Sequence, residues 1–453
     1  MSGFKPYPAY KDSGVEWLGE VPEHWAQRKL KYIARFSGGG TPSREKLTYW
    51  NGDIPWVSPK DMKFEVIVGA EESITSEGLQ NSTASLVSPG GLLIVVRSGI
   101  LKHTIPVAIN NVEVALNQDM KALRFNPKLA ISDFFFRWIQ GFNNQLLHAW
   151  LKQGATVESV EQEYLADTTV PMPGINEQRM IVDFLDHETA RIDALIEEQQ
   201  RLIELLKEKR QAVISHAVTK GLDPTVPMKD SGVEWLGEVP GHWEIARVKN
   251  VAKLESGHTP SKNFPEYWEG GDISWISLND SKRLKVVDYI DETTFMITAL
   301  GVSNSSARLL PARAVVFTRD ATIGLAAITT KPMCVSQHLI AWICNENLVI
   351  PEYLLLVFYA MEKELDRFTF GATIKTIGMP DIRELVTTVP PMTEQARIVA
   401  DVNAQRDRIG RLLQESDMAL ALYLERRSAL ISAAVTGKID VRNWQSTSGD
   451  GEQ

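Results

Sequence analysis

The sequence twice sets two carboxylates and a lysine at a spacing that could hold Mg²⁺ against a phosphodiester: Asp53 with Asp61-x-Lys63, and Asp272 with Asp280-x-Lys282. Acids that share a divalent cation beside a lysine are the plan of a metal-dependent nuclease. An aspartate after a glycine equally shapes a polar turn, and the proline expected before the first acid is absent, so the turn is preferred. Other chemistries fail by motif. Gly38-Gly39-Gly40 leads into Thr-Pro-Ser rather than the Lys-Ser/Thr of a phosphate loop. There is no Gly-x-Ser-x-Gly, no His-Glu-x-x-His, and no Asn-Pro-Pro-Tyr/Phe of an amino-methyltransferase. The eight histidines are scattered, and Cys334 and Cys344 have no metal-ligand spacing. No catalytic residue and no metal site is assigned to this chain.

Binding is better supplied. Ala26 to Lys63 holds eight basic against three acidic residues, a local +5 in a chain of net charge −9. The matching stretch, Ile245 to Lys285, holds seven against five, or +2. Each carries a small-residue loop, Ser37-Gly-Gly-Gly-Thr-Pro-Ser-Arg44 and Ser256-Gly-His-Thr-Pro-Ser-Lys262. Glycine and hydroxyl residues let backbone approach a phosphate, and the base that follows pairs with it. A solvated hairpin turn is the plainer alternative. The tips differ between the stretches. Lys60-Asp-Met-Lys63 becomes Asn279-Asp-Ser-Lys282-Arg283, Arg97 with Lys102 and His103 lies near Arg319, and Gln118 answers Gln337-His338. Arginine suits guanine, and Asn or Gln suits adenine, in the major groove. The DNA-binding candidates are therefore Gly39, Gly40, Thr41, Ser43, Arg44, Lys46, Lys60, Lys63, Arg97, Lys102, His103 and Gln118 in the first half. In the second half they are His258, Thr259, Ser261, Lys262, Asn279, Lys282, Arg283, Arg319, Gln337 and His338. Trp50, Trp56, Trp268 and Trp275 read as core rather than as stacking platforms.

The elements that position these loops come from a duplication. Lys11 to Trp25 and Lys229 to Trp243 agree at fourteen of fifteen positions, at an offset of 218. The register persists through Tyr49-Trp50 with Tyr267-Trp268, Gly154-Ala155-Thr156 with Gly371-Ala372-Thr373, and Glu177-Gln178 with Glu394-Gln395. Within each copy, short β-like runs (Leu92 to Val96, Ala314 to Phe317) and helical patterns (Asp133 to Leu151, Glu352 to Asp366) predict a mixed α/β domain. A long helix follows, with Asn176 as its expected N-cap and Gly221 and Pro224 as its stop. Positions 181, 185, 188, 192, 195, 199, 202, 206, 209 and 213 are seven-tenths apolar, and so is the copy from Ile398 to Leu430, a coiled-coil seam with polar interruptions. At 1.5 Å per residue, forty-odd residues reach about 65 Å. A stripe that long needs a partner of equal length, and the other copy supplies it, preferably antiparallel.

The expected fold is α+β: two homologous mixed α/β domains separated by two long antiparallel coiled-coil helices, with pseudo-twofold symmetry. The expected boundaries are 1–172 and 221–389 for the domains, 173–220 and 390–437 for the helices, and 438–453 for a tail. The chain has 453 residues, 44% apolar and 23% charged, which excludes a fibrous or largely disordered protein. No apolar run reaches the roughly 18 residues of a membrane span. The N-terminal residues lack a signal-peptide plan, so a cytoplasmic protein without a membrane role is expected.

The stretch Gly39 to Ser58, its copy ending at Ser277, and the Gly-Ala-Thr, Val-Pro-x-Pro and Glu-Gln segments leading into the long helices resemble the specificity subunits of type I restriction-modification systems. The resemblance covers essentially the whole chain. It implies that each domain is a target-recognition domain and that the two read the halves of a split, asymmetric site on double-stranded DNA. It implies that the helices act as a ruler and dock two methyltransferase subunits, with two motor-nuclease subunits further out. No cofactor is then expected on this chain; S-adenosylmethionine, ATP and Mg²⁺ belong to the partners. Recognition residues vary within such domains, so the loop positions above are candidates and not matched base contacts. A recognition module of another multi-subunit restriction or methylation system is the alternative, ahead of a metal-dependent nuclease.

Overall fold

The computed structural model describes residues 5–152, 157–370 and 375–445. The repeated Gly154-Ala155-Thr156 and Gly371-Ala372-Thr373 lie outside the described residues. Contacts divide the chain into two units, residues 1–199 with 418–453, and residues 200–417.

Unit 1 contains β1 (Ala34–Gly38), β2 (Trp50–Val57), β3 (Val66–Ile67), β4 (Ser73–Ile74), β5 (Leu86–Val87), β6 (Leu92–Val95), β7 (Val107–Asn110), β8 (Val114–Leu116) and β9 (Met120–Phe125). Five form a sheet in the order β1-β9-β6-β7-β3, antiparallel except for the β7-β3 pair. A second sheet runs β4-β2-β8-β5. All four side chains of β6 are buried, as its uninterrupted Leu-Leu-Ile-Val run requires. The helix expected from Asp133 to Leu151 is two helices, α1 (Ser132–Gly141) and α2 (Asn143–Trp150), because Phe142 leaves helical geometry at φ −114°, ψ 17°. The break lets Phe142 and Trp150 join the same core as Phe135 and Trp138. The long helix α3 (Ile175–Lys220) follows. It starts two residues earlier than expected, so Asn176 sits in the first turn and does not cap it. The carbonyl of Gly174 accepts from the Gln178 amide at 2.9 Å.

Unit 2 repeats the design. Its strands are β10 (Ala252–Ser256), β11 (Ile273–Ile276), β12 (Tyr289–Ile290), β13 (Phe295–Ile297), β14 (Val315–Thr318), β15 (Ala326–Thr329), β16 (Cys334–Val335) and β17 (Leu339–Cys344). The main sheet, β10-β17-β14-β15-β12, has the same order as in unit 1, and β13-β11-β16 answers the second sheet. The expected helix over 352–366 is again two, α4 (Pro351–Ala360) and α5 (Glu362–Arg367), parted at Met361. The second long helix is α6 (Met392–Val435). Both long helices stop at glycines in the left-handed region, Gly221 at φ +74° and Gly437 at φ +73°, where a β-carbon would add strain. Among the described residues, no helix is long and apolar enough to cross a membrane.

Each long helix gives one half to each unit. In unit 1, Ile181, Leu185 and Ile192 of α3 share a core with Leu430, Ile431 and Ala434 of α6. Phe184 and His187 meet the ring of Trp444, whereas Asp193 meets Arg427. Moving forward along α3 means moving back along the partner, so the two segments are antiparallel, as expected. In unit 2, Ile214, Ala217 and Val218 share a core with Ile398 and Val402. The seam departs from the regular repeat near the middle: Leu195, Leu202 and Leu412 are exposed, and Ile203 is buried instead. A straight helix has 3.6 residues per turn, so a 3.5-residue stripe drifts around it by about 20° per heptad.

Two buried glutamines join the sheets to the helices. Gln178 accepts from the Ile131 amide and donates to the carbonyls of Leu129 and Pro173; Gln395 does the same to Ile350, Leu348 and Pro390. A carboxylate before each parallel edge strand adds an ionic link. Glu65 takes Arg137 and Arg427 in unit 1, and Asp288 takes Arg406 at 2.7 Å and the Tyr359 hydroxyl in unit 2. Burial pushes the Asp288 carboxyl up, but the Arg406 hydrogen bonds and charge outweigh it and hold the group below its ordinary 3.8. This link is at full strength above the unfolded carboxyl value and is lost as pH falls through the lower folded value. Asp288→Ala is therefore expected to cost unit 2 about 2–3 kcal/mol at pH 7, less than a fully buried pair because both groups touch water. In thermal melts the gap from wild type should narrow below about pH 4. An equal gap at pH 7 and pH 3 would remove the link from the stability account.

Candidate nucleic-acid interface

In unit 1 the chain leaves β1 at Gly38 and folds back over the end of the second sheet. Gly39 makes this possible: a β-carbon there would lie 1.8 Å from the carbonyl oxygen of Asn117. The Gly40 amide donates to Leu116 O at 2.8 Å. Two tryptophans bracket the loop from beneath, with Trp56 Nε1 donating to Gly40 O and Trp50 Nε1 to Ser43 O. Their rings meet edge to face at 5.1 Å. Thr41 donates its hydroxyl to the Gln118 side chain. The Arg44 guanidinium lies 3.8 Å from the Trp50 ring centre and pairs with Glu72. The hydrogen bonds from Arg44, with added charge from Arg44 and Lys60, keep the Glu72 carboxyl below its ordinary range. Lys60 thus belongs to the same cluster.

Unit 2 keeps the bracket and changes the tip. A β-carbon on Gly257 would lie 2.2 Å from the Val335 and Ser336 carbonyl oxygens. Trp275 Nε1 donates to His258 O, Trp268 Nε1 to Ser261 O, and the rings again meet at 5.1 Å. Thr259 donates to Gln337, as Thr41 does to Gln118. Arg319 Nε donates to Gln337 O, and its amide to His338 O. His338 Nδ1 stands 2.7 Å from Asp320, whose other oxygen accepts from the Thr376 hydroxyl. In unit 1 the Arg97 amide likewise donates to Asp119 O, beside Gln118.

The structure thus gathers Gly39, Gly40, Thr41, Ser43, Arg44, Lys60, Arg97 and Gln118 on one loop cluster. In unit 2 it gathers His258, Thr259, Ser261, Lys262, Asn279, Arg319, Gln337 and His338. Others lie apart. Lys46 donates to the Tyr49 hydroxyl, Lys63 pairs with Glu71 at 3.4 Å, and Arg283 with Glu292. Lys102 ends a 3₁₀ turn with His103 as its cap, and Lys282 lies exposed on a short helix; among the described residues none of these three is bonded to the clusters. Trp50, Trp56 and Trp275 are buried as expected, but Trp268 is only half-buried. Glu72, Phe295, Asp320 and Thr376 were not foreseen; each reaches its partner across 18 residues or more, and no local pattern marks them.

The second acid of each pair, Asp61 and Asp280, serves its turn. Asp61 accepts from Ser58 N and Oγ and from Glu71 N; Asp280 accepts from Ser277 N and from Thr294 N and Oγ1. These bonds give Asp61 and Asp280 the turn-shaping role. Among the described residues, no group of three or more His, Cys, Asp or Glu could hold a metal ion. The thiols of Cys334 and Cys344 are pushed up by burial, to about 11 and about 12, which makes them poor nucleophiles and ligands.

Residues 22–206 and 240–403 each match the sequence profile of the type I restriction modification DNA specificity domain, one match per copy. The chain belongs to this family. A specificity subunit of an Escherichia coli type I restriction enzyme is 36% identical over 203 residues, 44% of this chain and 49% of that relative, so the match spans about half its length. The MjaIX specificity subunit of Methanocaldococcus jannaschii is 24% identical over 390 residues, 83% of this chain and 85% of the relative. Solved structures share the fold. A chain from work on assembly and conformational transition of a type I restriction-modification system superposes with a TM-score of 0.71 at 17% identity, over 92% of this chain and 99% of that one. The HsdS subunit from Thermoanaerobacter tengcongensis gives 0.53 at 16%, over 92% and 98%.

Proposed function

We propose that this chain is the DNA-specificity subunit of a type I restriction-modification complex, reading the two halves of a split, asymmetric site with its two loop clusters. It performs no catalysis itself. The observation that carries the reading is the repeated loop: the same glycine, the same two tryptophan brackets and the same threonine-glutamine bond hold tips that differ in chemistry, Arg44, Gly40 and Asp119 against Lys262, His258 and His338. A constant frame with variable tips suits two readers of unlike sequences. We assign residues 1–172 and 221–389 to the recognition domains and 173–220 and 390–437 to the helices. The helices contain 46 and 44 residues, about 66–69 Å at 1.5 Å each. That is long enough to set a distance of about one turn of duplex, roughly 34 Å, between readers.

Partner subunits supply methyl transfer, ATP use and cleavage. Exposed apolar residues in mid-helix, Leu202 and Leu205 on α3 and Leu412, Met418 and Leu422 on α6, favour docking of two methyltransferase subunits there. Two motor-nuclease subunits complete the assembly, and the cytoplasm is its expected place.

The test is exchange of residues 26–170 for the first domain of another family member, followed by mapping of methylated bases in host DNA. One half of the site should change and the other persist. A change in both halves would overturn the modular reading. Four residues inserted near Leu202 should lengthen the unread spacer, and an unchanged spacer would remove the ruler.

A further inference from the structure

The two loop clusters differ in one way that points to a ligand. Strand registers place Trp56 opposite Glu72 in unit 1 and Trp275 opposite Phe295 in unit 2, and the loops place Arg44 where unit 2 has Lys262. In unit 1 the Arg44–Glu72 pair covers the tryptophan corner. In unit 2 both members of that pair are replaced, and a cleft of about 670 Å³ lies in their place. Trp268, Trp275 and Phe295 wall it, with Lys262 and Gln337 at the rim. Phe295 is 44% exposed and leaves its ring open to the cleft beside Trp268 and Trp275. Ser336, also on the wall, is 1% exposed, and among the described residues its hydroxyl has no hydrogen-bond partner. Its counterpart Asn117 is satisfied through both side-chain atoms by Asp119. A buried hydroxyl and a lysine, neither with a partner among the described residues, beside aromatic walls describe a site whose ligand is planar, carries hydrogen-bonding edges and bears negative charge.

Resting on the DNA-reading function above, we propose that this cleft receives one nucleobase unstacked from the DNA held by unit 2. The aromatic walls stack on any base. Ser336 and Gln337 meet its polar edge, and Lys262, beside Thr259 and Ser261, takes the phosphate of the same nucleotide. Unit 1, with Arg44 and Glu72 in the equivalent place, reads bases in the duplex. The two halves of the site are therefore read by different modes.

The experiment uses the full chain with its methyltransferase partners and the site found by methylation mapping. Each base pair of the half assigned to unit 2 is replaced in turn by a mismatch, and binding is measured. A protein that holds a base outside the stack binds more tightly where pairing is already lost, because the unpairing cost is removed. One position, other than the methylated base, should bind about tenfold more tightly. Lys262→Arg with Phe295→Glu, which rebuilds the unit 1 pair, should abolish that gain and weaken the matched site, while mismatches in the other half behave as in wild type. Phe295→Leu, a milder change, should reduce the gain without altering the melting temperature. A methylated site with no tightened position overturns the cleft proposal alone, as does a gain that survives in the double variant. Absence of any sequence-specific methylation overturns the specificity reading as well.

Discussion

Glu177→Ala is expected to destabilise unit 1 by about 4 kcal/mol, whereas Glu394→Ala, at the equivalent place, costs unit 2 about 1 kcal/mol. Glu177 lies in the first turn of α3 and is 7% exposed. Its carboxylate accepts from the Tyr7 hydroxyl at 2.7 Å and from Trp25 Nε1 at 3.1 Å, and His24 Nε2 stands at 3.0 Å. Burial and the neighbouring carboxylate push the Tyr7 phenol well above its ordinary value, so the hydroxyl stays a donor. The site also joins remote segments, because the Tyr10 hydroxyl donates to Gly437 O and the Asp440 amide to Lys5 O. Removing the carboxylate strands two buried donors and forfeits a favourable charge at a helix N-terminus. Among the described residues, Glu394 instead meets only half-exposed His242, and Trp243 Nε1 is already without a partner. Thermal melting should show a drop of about 10 °C for the first variant and a few degrees for the second, given about 2–4 °C per kcal/mol for units of this size. Equal drops would show that the hydrogen-bond difference between the copies carries no stability.

Gly39→Ala is expected to reduce site-specific methylation about 30- to 100-fold with little loss of overall fold, and Gly257→Ala to do the same from the other half. In both, a new β-carbon would stand about 2 Å from backbone carbonyl oxygens, and no side chain can move to relieve it. The loop must lift away, taking Thr41 and Ser43, or Thr259 and Ser261, with it. Overpacking of this kind costs about 2–3 kcal/mol, and since each 1.4 kcal/mol is tenfold in affinity, the loss is felt at the DNA. Gly38→Ala is the internal control: nothing lies within 4 Å of its added carbon, and it should behave as wild type. If Gly39→Ala methylates normally, the loop does not set the reading geometry.

The sequence by itself determined the duplication, the mixed α/β domains, the two long helices and the absence of recognisable catalytic motifs, because each is written in near neighbours or in exact repetition. Fourteen matches in fifteen residues need no fold to interpret, and a stripe of apolar residues every third or fourth position states a helix wherever it lies. The tips were legible only as a population of polar residues. Which of them act together was decided by chain topology: Gln118 joins Thr41 across 77 positions, Glu72 joins Arg44 across 28, and Asp320 joins Thr376 across 56. The same holds for the helices. Periodicity gave their length, but not that each would be shared by both units, nor that Leu195 and Leu202 would face outward while Ile203 turned in. Local patterns record the forces between residues a turn or a pleat apart. Pairings across tens or hundreds of positions exist only once the sheets have fixed their register and the helices their neighbours, and that is where this protein keeps the difference between its two readers.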